Sequence, residues 1–480
     1  MKTVMNKKTI ITVLAALLVT APFAATAAIT LAAPGQYDET FLGELKDKHA
    51  RLSSVEGDKI VLIGGSSLAF GMDSQLLESY TGMPVVNYGL YATIGTKAML
   101  DMSRPYIGKG DIVVICPETD EQTYSLYYNA RSMWQALDCD ITMLPDTGIS
   151  NFCKLMAALP AFAAEKLDFI ARDAKPVPDG IYAESSFNEY GDISVERQYN
   201  EMPTNYDPSM EISLTEDLLD GDFIDYLNDY ADYCRLRGAD VYFSFSPINA
   251  ESVISTEEQK ETFYRMLGES LDFPVISDIN DYILPSAYFY DTNFHLNSRG
   301  ALLRTSLLAD DLLRTMGITE RVETVKYSAP QRPADYFNLK FEDDENARYF
   351  VFEEIEGGLA ITGLTEAGRE QKTLQIPRGT DNKAVLIIRD NAFADSAVLE
   401  EIIIGEYAVV RSLESLALEG CDTLRRIELH LSPSDLPIDS AVVSALPEDC
   451  YVYIPEDQYG AFATDYFWSS MMKYVRTMED

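Results

Sequence analysis

From Lys59 onwards, short aliphatic runs alternate with amphipathic segments, and this alternation most narrows the folds open to the chain. The aliphatic runs predict five strands, at 59–63, 84–88, 111–116, 240–245 and 274–277. Such a pattern is typical of a parallel sheet that is covered by helices on both faces. We therefore predict an α/β fold for the first part of the chain.

Two segments of this part show clear helical periodicity. The segment 223–238 repeats its apolar residues at helical spacing and ends in a glycine, which is a typical helix stop. The segment 297–317 reads likewise, with Asn297 or Ser298 as the predicted N-cap. By contrast, the stretch 175–210 is rich in Pro, Asp, Asn and Tyr and has no period. Loops of this length are usually functional or disordered, and a lid over a site is one interpretation.

Beyond about residue 327 the helical pattern fades and a 25-residue repeat emerges. The segment 393–404 superposes on 418–429, and a further shift of 25 residues reaches Val452 and Ile454. The superposition aligns Leu399 with Leu424, Ile402 with Ile427 and Ile404 with Leu429. Equally spaced short apolar strands predict stacked repeats, since one unit alone cannot bury its apolar face.

The N-terminus has the features of an export signal. Three lysines stand within the first eight residues, and no further charge follows until Asp38. A small-residue cleavage motif lies at 25–27, yet the apolar stretch continues to Ala33, about the length that a membrane-spanning helix needs. The sequence leaves a cleaved signal and a retained anchor equally open. Either one predicts an extracytoplasmic protein, anchored at the cell surface or secreted.

These patterns divide the chain into four regions. Residues 1–36 are the predicted signal or anchor, and 37–326 are the α/β domain with an insertion at about 121–239. A linker at 327–344 leads to the repeat region at 345–480. The acidic balance, 77 Asp and Glu against 38 Lys and Arg, repels nucleic acid and anionic lipid and excludes nucleic acid as a partner, while membrane association through the N-terminus stays open.

The chain shows no pattern that calls for a metal or an organic cofactor. Its six cysteines are dispersed without a C-x-x-C pair, and there are only three histidines, so zinc-site spacing is absent. Cys116, Cys153 and Cys234 fall on apolar faces and are predicted to be buried thiols. One or two disulfides remain open for an exported protein.

Two separated motifs could carry chemistry. The first strand runs into "LIGGSSLAFG", where glycines permit a tight turn and a serine beside a helix N-terminus is exposed. "FYDTNFHLNSRG" places Asp291 and His295 just after the fifth strand, at the same edge of the sheet as Ser67. Histidine can accept a serine proton while a carboxylate fixes its tautomer. His49 and His430 stand in unsuitable surroundings and are predicted bystanders.

The pairing of these motifs over five parallel strands resembles the SGNH (GDSL-type) hydrolases and the related cell-wall acyl-transfer proteins with a Gly-Ser-Ser motif. The resemblance covers roughly residues 55–317. It implies a flavodoxin-like three-layer α/β/α sandwich with strand order 2-1-3-4-5. It assigns the nucleophile to Ser67, which together with Gly89 would supply oxyanion N–H groups. His295 would act as general base and then acid, oriented by Asp291.

The sequence departs from that family in two places. Where the third block has Gly-x-Asn-Asp, "VICPETD" has Pro117 and Thr119, so the usual oxyanion asparagine is missing. Asn87, Thr119 or Asn129 could replace it, and the sequence does not choose among them. The family's Asp-x-x-His is also stretched by one residue, which weakens the assignment of Asp291 in particular.

The C-terminal region, roughly 345–480, resembles the leucine-rich repeats of BspA-like bacterial surface proteins. The similarity rests on "DNAFADSAVLEEIII" and on the closing "VYIPEDQYGAFATDYFW". It implies surface display and binding of a ligand that the sequence does not indicate.

Taken together, the motifs predict an exported serine esterase or O-acyl transferase. The expected substrate, implied by the resemblance, is an acyl ester, chiefly acetyl, of a cell-envelope or environmental glycan. Whether the acyl group passes to water or to another acceptor stays open. The alternative is a non-catalytic surface binding or adhesion protein that keeps a degenerate SGNH scaffold.

Overall fold

The structure is a computed structural model of the 480-residue chain. It describes residues 21–478 except 22, 23, 25, 29, 173, 177, 179, 319–321, 323–328, 334–343, 356, 395, 434, 437–441, 443–445, 448, 466 and 467. The predicted signal or anchor therefore lies largely outside the described residues, and so does most of the predicted linker. Within the described part of the chain, no helix combines the length and the apolar character needed to cross a bilayer.

The strands are numbered in chain order. They are β1 Ile60–Gly64, β2 Val85–Asn87, β3 Ile112–Cys116, β4 Asp240–Phe243, β5 Ile248–Asn249, β6 Ile283–Leu284, β7 Phe350–Ile355, β8 Gly358–Leu364, β9 Thr373–Gln375, β10 Gly379–Thr380, β11 Lys383–Ile388, β12 Glu401–Ile404, β13 Ser412–Leu413, β14 Arg426–Leu429, β15 Tyr451–Ile454 and β16 Val475–Thr477.

The α-helices are numbered in the same way. They are α1 Glu44–Ser54, α2 Ser66–Gly71, α3 Ser74–Thr81, α4 Thr96–Ser103, α5 Ala130–Cys139, α6 Ile149–Ala171, α7 Gly221–Leu236, α8 Glu257–Ser270, α9 Ile279–Tyr282, α10 Ser298–Thr315, α11 Glu366–Arg369 and α12 Tyr459–Thr464. Helices α7 and α10 confirm the two helices predicted from periodicity, and Asn297 caps α10 by accepting the Gly300 N–H at 3.0 Å.

The first sheet is parallel and has the strand order β2-β1-β3-β4. The predicted fifth strand is present only as one parallel bridge, in which Val275 pairs with Phe243 beside β4. The strand order β2-β1-β3-β4, followed by this bridge in the place of the fifth strand, agrees with the predicted order 2-1-3-4-5. The chain is thus a mixed α/β protein with a parallel sheet in its first part.

Alternate residues of the central strands face two different cores. On one face, Val61 and Val113 join the large cluster that includes α4 and α7. On the other face, Ile60 and Ile112 pack with Leu308 and other residues of α10. Both faces are therefore buried, which explains why these strands read as continuous aliphatic runs.

The second part contains a five-stranded parallel sheet in the order β16-β15-β14-β12-β9. Its register matches the sequence repeat, because Ile402 pairs with Ile427 and Ile427 pairs with Val452. The predicted superposition of these strands is thereby confirmed. Their inward side chains belong to a separate hydrophobic cluster that also contains Leu399 and Leu424.

The six cysteines are all free. Cys116 and Cys234 are buried as predicted, whereas Cys153 on α6 is exposed, contrary to the prediction of a buried thiol. Helix α6 has a broad apolar character, so periodicity does not settle which of its residues face the core. The first and second parts touch through the Arg172–Glu456 ion pair, 3.2 Å between Nη1 and Oε1.

Candidate active site

The turn after β1 is shaped by a close approach of another strand end. A Cβ placed on Gly65 would lie 2.0 Å from Oε2 of Glu118, so only glycine fits between β1 and the residues after β3. Helix α2 begins at Ser66, directly after this glycine. A second helix starts at Ser74, where Asp73 is the N-cap and accepts the Leu76 N–H at 2.8 Å.

A serine, a histidine and a carboxylate form one hydrogen-bonded series at the carboxyl edge of the sheet. Nε2 of His295 lies 2.8 Å from Oγ of Ser66, and Nδ1 lies 2.9 Å from Oδ1 of Asp291. The backbone N–H of His295 donates to Oγ1 of Thr292 at 3.0 Å, which fixes the tight turn. The longer Asp-x-x-x-His spacing therefore still brings Asp291 to the imidazole.

Ser67, the predicted nucleophile, is not the serine that contacts His295. Its Oγ is fully buried and has no hydrogen-bond partner among the residues that the structure describes, while its backbone N–H donates to Oε1 of Glu118 at 2.7 Å. Successive residues of a helix point about 100° apart, so only one of two adjacent serines can face the imidazole. The structure places Ser66 there, which corrects the sequence-based choice.

Two aromatic rings hold His295 in place. The ring of Phe70 stacks on the imidazole with 4.0 Å between centroids and an interplanar angle of 3°. The hydroxyl of Tyr182 donates a hydrogen bond to Oδ2 of Asp291 at 2.6 Å, and the hydroxyl oxygen of Tyr182 lies 3.3 Å from Nδ1 of His295. Burial raises the pKa of Tyr182 well above its usual value, so its hydroxyl stays a donor.

Sequence analysis did not single out Tyr182. It lies in the non-periodic stretch 175–210, and nothing in one sequence distinguishes it from the other tyrosines there.

The described part of that stretch packs over the triad. Asp192 accepts one hydrogen bond from the hydroxyl of Ser74 and one from its backbone N–H, each at 2.7 Å. Arg197 donates a hydrogen bond to the carbonyl oxygen of Phe70 at 3.0 Å. Burial raises the pKa of Asp192.

The predicted oxyanion donors are each engaged elsewhere. The N–H of Gly89 donates to Oδ1 of Asn87 at 3.1 Å, and the Asn87 amide in turn donates to Oδ1 of Asp192 at 2.7 Å. Oγ1 of Thr119 lies 3.3 Å from Oγ of Ser246. Oδ1 of Asn129 accepts two N–H groups at the start of α5. No hydrogen bond among the described residues joins any of these groups to Ser66.

Two buried charged side chains, Glu118 and Arg304, border the turn after β1 instead. Glu118 is 2% exposed, and its Oε2 has no hydrogen-bond partner among the described residues. Arg304, which is fully buried on α10, donates to the carbonyl oxygen of Ser67 at 2.7 Å and attracts Glu118 electrostatically. Burial lowers the pKa of Arg304. The N–H of Ser67 therefore already donates to the carboxylate of Glu118, although an oxyanion would need that N–H as its own donor.

A cavity of about 530 Å³ opens beside Asp291, between the α/β domain and the repeat strands. The repeat region contributes Arg411 and Asp435, whose ion pair measures 2.6 Å between Nη1 and Oδ1. Ser66 and His295 are each only 2% exposed and do not line the cavity. The cavity therefore reaches the carboxylate end of the triad. Its aromatic lining consists of Tyr127, Tyr182, Tyr206 and Tyr290.

Comparison with known proteins adds no relative: no model of a protein family matches the chain, and no curated protein matches it.

Proposed function

We propose that the protein is an SGNH-like serine esterase or O-acyl transferase whose nucleophile is Ser66. The observation that carries the proposal is the continuous hydrogen bonding from Ser66 through His295 to Asp291. This order of hydroxyl, imidazole and carboxylate is the one that nucleophilic acyl transfer requires.

The proposed reaction uses these three groups in sequence. Oγ of Ser66 attacks the ester carbonyl while Nε2 of His295 accepts the hydroxyl proton. The bond to the alcohol breaks, and His295 returns the proton to the departing alkoxide. Water or another hydroxyl then attacks the acyl-serine and gives its proton to His295, which passes that proton to the departing Oγ of Ser66 as the acyl–serine bond breaks. Asp291 keeps Nδ1 protonated throughout and stabilises the imidazolium.

The proposed substrate is an acyl ester, chiefly acetyl, of a cell-envelope or environmental glycan. The cavity beside Asp291 has a volume of about 530 Å³, which suits a small ligand, and its lining combines tyrosine rings with polar groups. Because Ser66 and His295 do not line it, we assign it to the part of the substrate away from the ester. The export signal, predicted from the sequence, supports an extracytoplasmic site of action. The transfer of the acyl group to water or to a second hydroxyl is equally consistent with the triad.

The family assignments belong to the same proposal. A parallel sheet in the order β2-β1-β3-β4, with helices packed on both faces, supports a flavodoxin-like SGNH sandwich. The 25-residue register of β12, β14 and β15 supports BspA-like leucine-rich repeats, which would bind a surface ligand. Fold alone does not establish activity, so the triad remains the principal argument.

A second candidate function is favoured by Glu118. Its carboxylate accepts the Ser67 N–H and would repel an oxyanion, and the nucleophile itself is almost fully buried. These features favour a surface binding or adhesion protein that keeps the triad as a relic.

A small fluorophosphonate distinguishes the two functions. We expect the full chain to form an adduct on Ser66, mapped by mass spectrometry, and we expect His295→Ala to abolish it. Ser67→Ala is the matched control and should keep the adduct. A folded protein that takes up no reagent, or an adduct that persists in His295→Ala, would contradict the esterase proposal and favour the binding protein.

A further inference from the structure

Helix α6 in the insertion is apolar on one side that the rest of the protein does not cover. Its 23 residues extend over about 34 Å. Four of its large apolar side chains are buried in the main hydrophobic cluster of the α/β domain, namely Leu155, Leu159, Phe162 and Phe169. A helix that is apolar all round is normally buried on every side, in a protein core or in a membrane. The uncovered side of α6 therefore calls for a second apolar partner.

This uncovered side is a continuous stripe without charge. At about 100° of rotation per residue, its six exposed members fall within a sector of about 100°. They are Ile149, Phe152, Cys153, Pro160, Leu167 and Ile170, and we call them the α6 stripe. The four charged residues of the helix all lie outside that sector. Ile149 is 89% exposed, whereas each of the other described helices carries at most one exposed large apolar side chain. Clustered exposure of this kind marks an interaction surface.

The uncharged N-terminal segment ends beside the same helix. No charged residue stands between Lys8 and Asp38. The buried ammonium of Lys166 on α6 donates to the carbonyl oxygens of Thr30 and Ala33, each at 3.1 Å. Residues 9–20 lie outside the described residues, and their sequence is rich in Ile, Val and Leu, which favour lipid over water. A chain that enters a bilayer through this segment therefore has α6 close to its point of entry.

We propose that the α6 stripe lies on a lipid bilayer that the N-terminal segment, retained as an anchor, enters. A helix in the plane of a membrane buries its apolar face by about 5–10 Å, at the boundary between headgroups and acyl chains. The acidic excess of the chain opposes binding to anionic lipid, so the matching surface is zwitterionic. This inference does not depend on the proposed esterase activity.

A second copy of the chain fits the α6 stripe less well than a bilayer does. A stripe about 32 Å long and about 10 Å wide covers about 320 Å². Stable interfaces between proteins bury about 800 Å² on each partner. A bilayer has no such minimum, because the N-terminal segment already holds the chain at its surface.

The test uses the full chain and the thiol of Cys153, which is the exposed one of the six cysteines and lies within the stripe. Cys139→Ser removes the half-buried thiol, so that the environment-sensitive fluorophore NBD attaches to Cys153. The labelled protein is mixed with phosphatidylcholine vesicles and floated on a density gradient. The emission spectrum, and its quenching by lipids that carry a nitroxide below the headgroup, report contact with acyl chains.

The matched control carries the label on Leu236→Cys, in a chain that also has Cys139→Ser and Cys153→Ser. Leu236 is 90% exposed at the end of α7, away from the stripe. A second pair of variants, Leu167→Glu and Leu236→Glu, places one charge inside the stripe and one outside it. Both positions are exposed, so neither charge disturbs the core.

On vesicles, we expect the label on Cys153 to shift its emission to shorter wavelength, to gain intensity several-fold and to be quenched by nitroxide lipid. The label at position 236 should keep the spectrum that it has in water. Leu167→Glu should reduce the shift of the Cys153 label, because a charge opposes burial in lipid, and Leu236→Glu should leave it unchanged.

Three results would overturn the proposal. Failure of the protein to float with the vesicles would mean that it has no bilayer partner. A floating protein whose Cys153 label stays as wet as the label at position 236 would mean that the N-terminal segment alone holds the chain. Quenching between labels on different chains, together with the mass of a dimer, would assign the α6 stripe to a second copy.

Discussion

Oγ of Ser66 lies 2.8 Å from Nε2 of His295, although 229 residues separate the two in sequence. The parallel sheet explains the contact, because Ser66 follows β1 and His295 follows the bridge residue Val275, which extends the same sheet beyond β4. Strand ends of a parallel sheet share one edge.

The first prediction concerns the two adjacent serines. Ser67→Ala removes a buried hydroxyl that has no hydrogen-bond partner in the described part of the chain, so we expect the free energy of unfolding to stay the same or rise by about 1 kcal/mol. Ser66→Ala removes the hydrogen-bond partner of Nε2 of His295 and should lower the free energy of unfolding by about 1 kcal/mol. Urea unfolding followed by circular dichroism measures both. A larger loss in Ser67→Ala than in Ser66→Ala would contradict the assignment of partners.

A second prediction concerns the carboxylate beside the nucleophile turn. Glu118→Gln keeps an oxygen that can accept the Ser67 N–H but removes the negative charge that would oppose an oxyanion. We expect the rate of fluorophosphonate labelling at Ser66 to rise by about tenfold or more, since one oxyanion interaction is worth about a hundredfold. The rate is measured by quenching the labelling reaction at a series of times and quantifying the adduct by mass spectrometry.

The control for that experiment is Glu121→Gln, which removes an exposed carboxylate three residues further along the chain. It should label at the original rate. If Glu118→Gln also labels at the original rate, the charge of Glu118 does not limit acylation, and the site needs another explanation for its closed state.

The parallel sheet could be predicted because its strands are buried on both faces and read as aliphatic runs. The 25-residue register was equally accessible, since Ile402 and Ile427 repeat in sequence and pair in space. Both results depend on local patterns of burial. The fifth strand was overestimated, because a short run such as 274–277 does not reveal how many of its backbone groups pair with a neighbour.

The details of the site were less accessible. Whether Ser66 or Ser67 faces His295 depends on where α2 begins, and helix boundaries are uncertain by one or two residues from sequence. Tyr182 and Glu118 act through long-range contacts that no local pattern encodes. The family resemblance implied Gly89 as an oxyanion donor and left Asn87 as one of three alternatives for another, whereas the hydrogen bond between these two residues follows from packing.

A third prediction concerns the anchor of the insertion. Asp192 accepts three short hydrogen bonds, from Oγ and the N–H of Ser74 and from the Asn87 amide. Asp192→Asn places an NH₂ group against one of these donors, so we expect a loss of about 1–3 kcal/mol in the free energy of unfolding. Urea unfolding measures it. Glu189→Gln is the control and should unfold at the original midpoint; equal stability of Asp192→Asn would show that the anchor is dispensable.

A fourth prediction concerns pH. Burial, together with the negative charge of Glu118, raises the pKa of Asp120 from 3.8 to about 6. Between these values the folded chain binds more protons than the unfolded chain, so stability falls as pH rises from about 4 to about 6. The pKa difference corresponds to about 3 kcal/mol at most.

Asp120→Asn should abolish this slope while keeping an oxygen for the N–H groups of Gln122 and Thr123. The measurement is the free energy of unfolding of both proteins at several pH values across that interval. Parallel curves for the two proteins would show that Asp120 does not titrate with folding.

The last prediction concerns Tyr182, whose hydroxyl donates to Asp291 at 2.6 Å. Tyr182→Phe keeps the ring but removes this bond, so Asp291 should orient His295 less firmly. We expect labelling at Ser66 to slow by about tenfold, which corresponds to about 1.4 kcal/mol in the barrier. Tyr206→Phe is the control, because Tyr206 lines the same cavity and should label at the original rate. An unchanged rate in Tyr182→Phe would mean that Asp291 is held well enough by the backbone turn at Thr292.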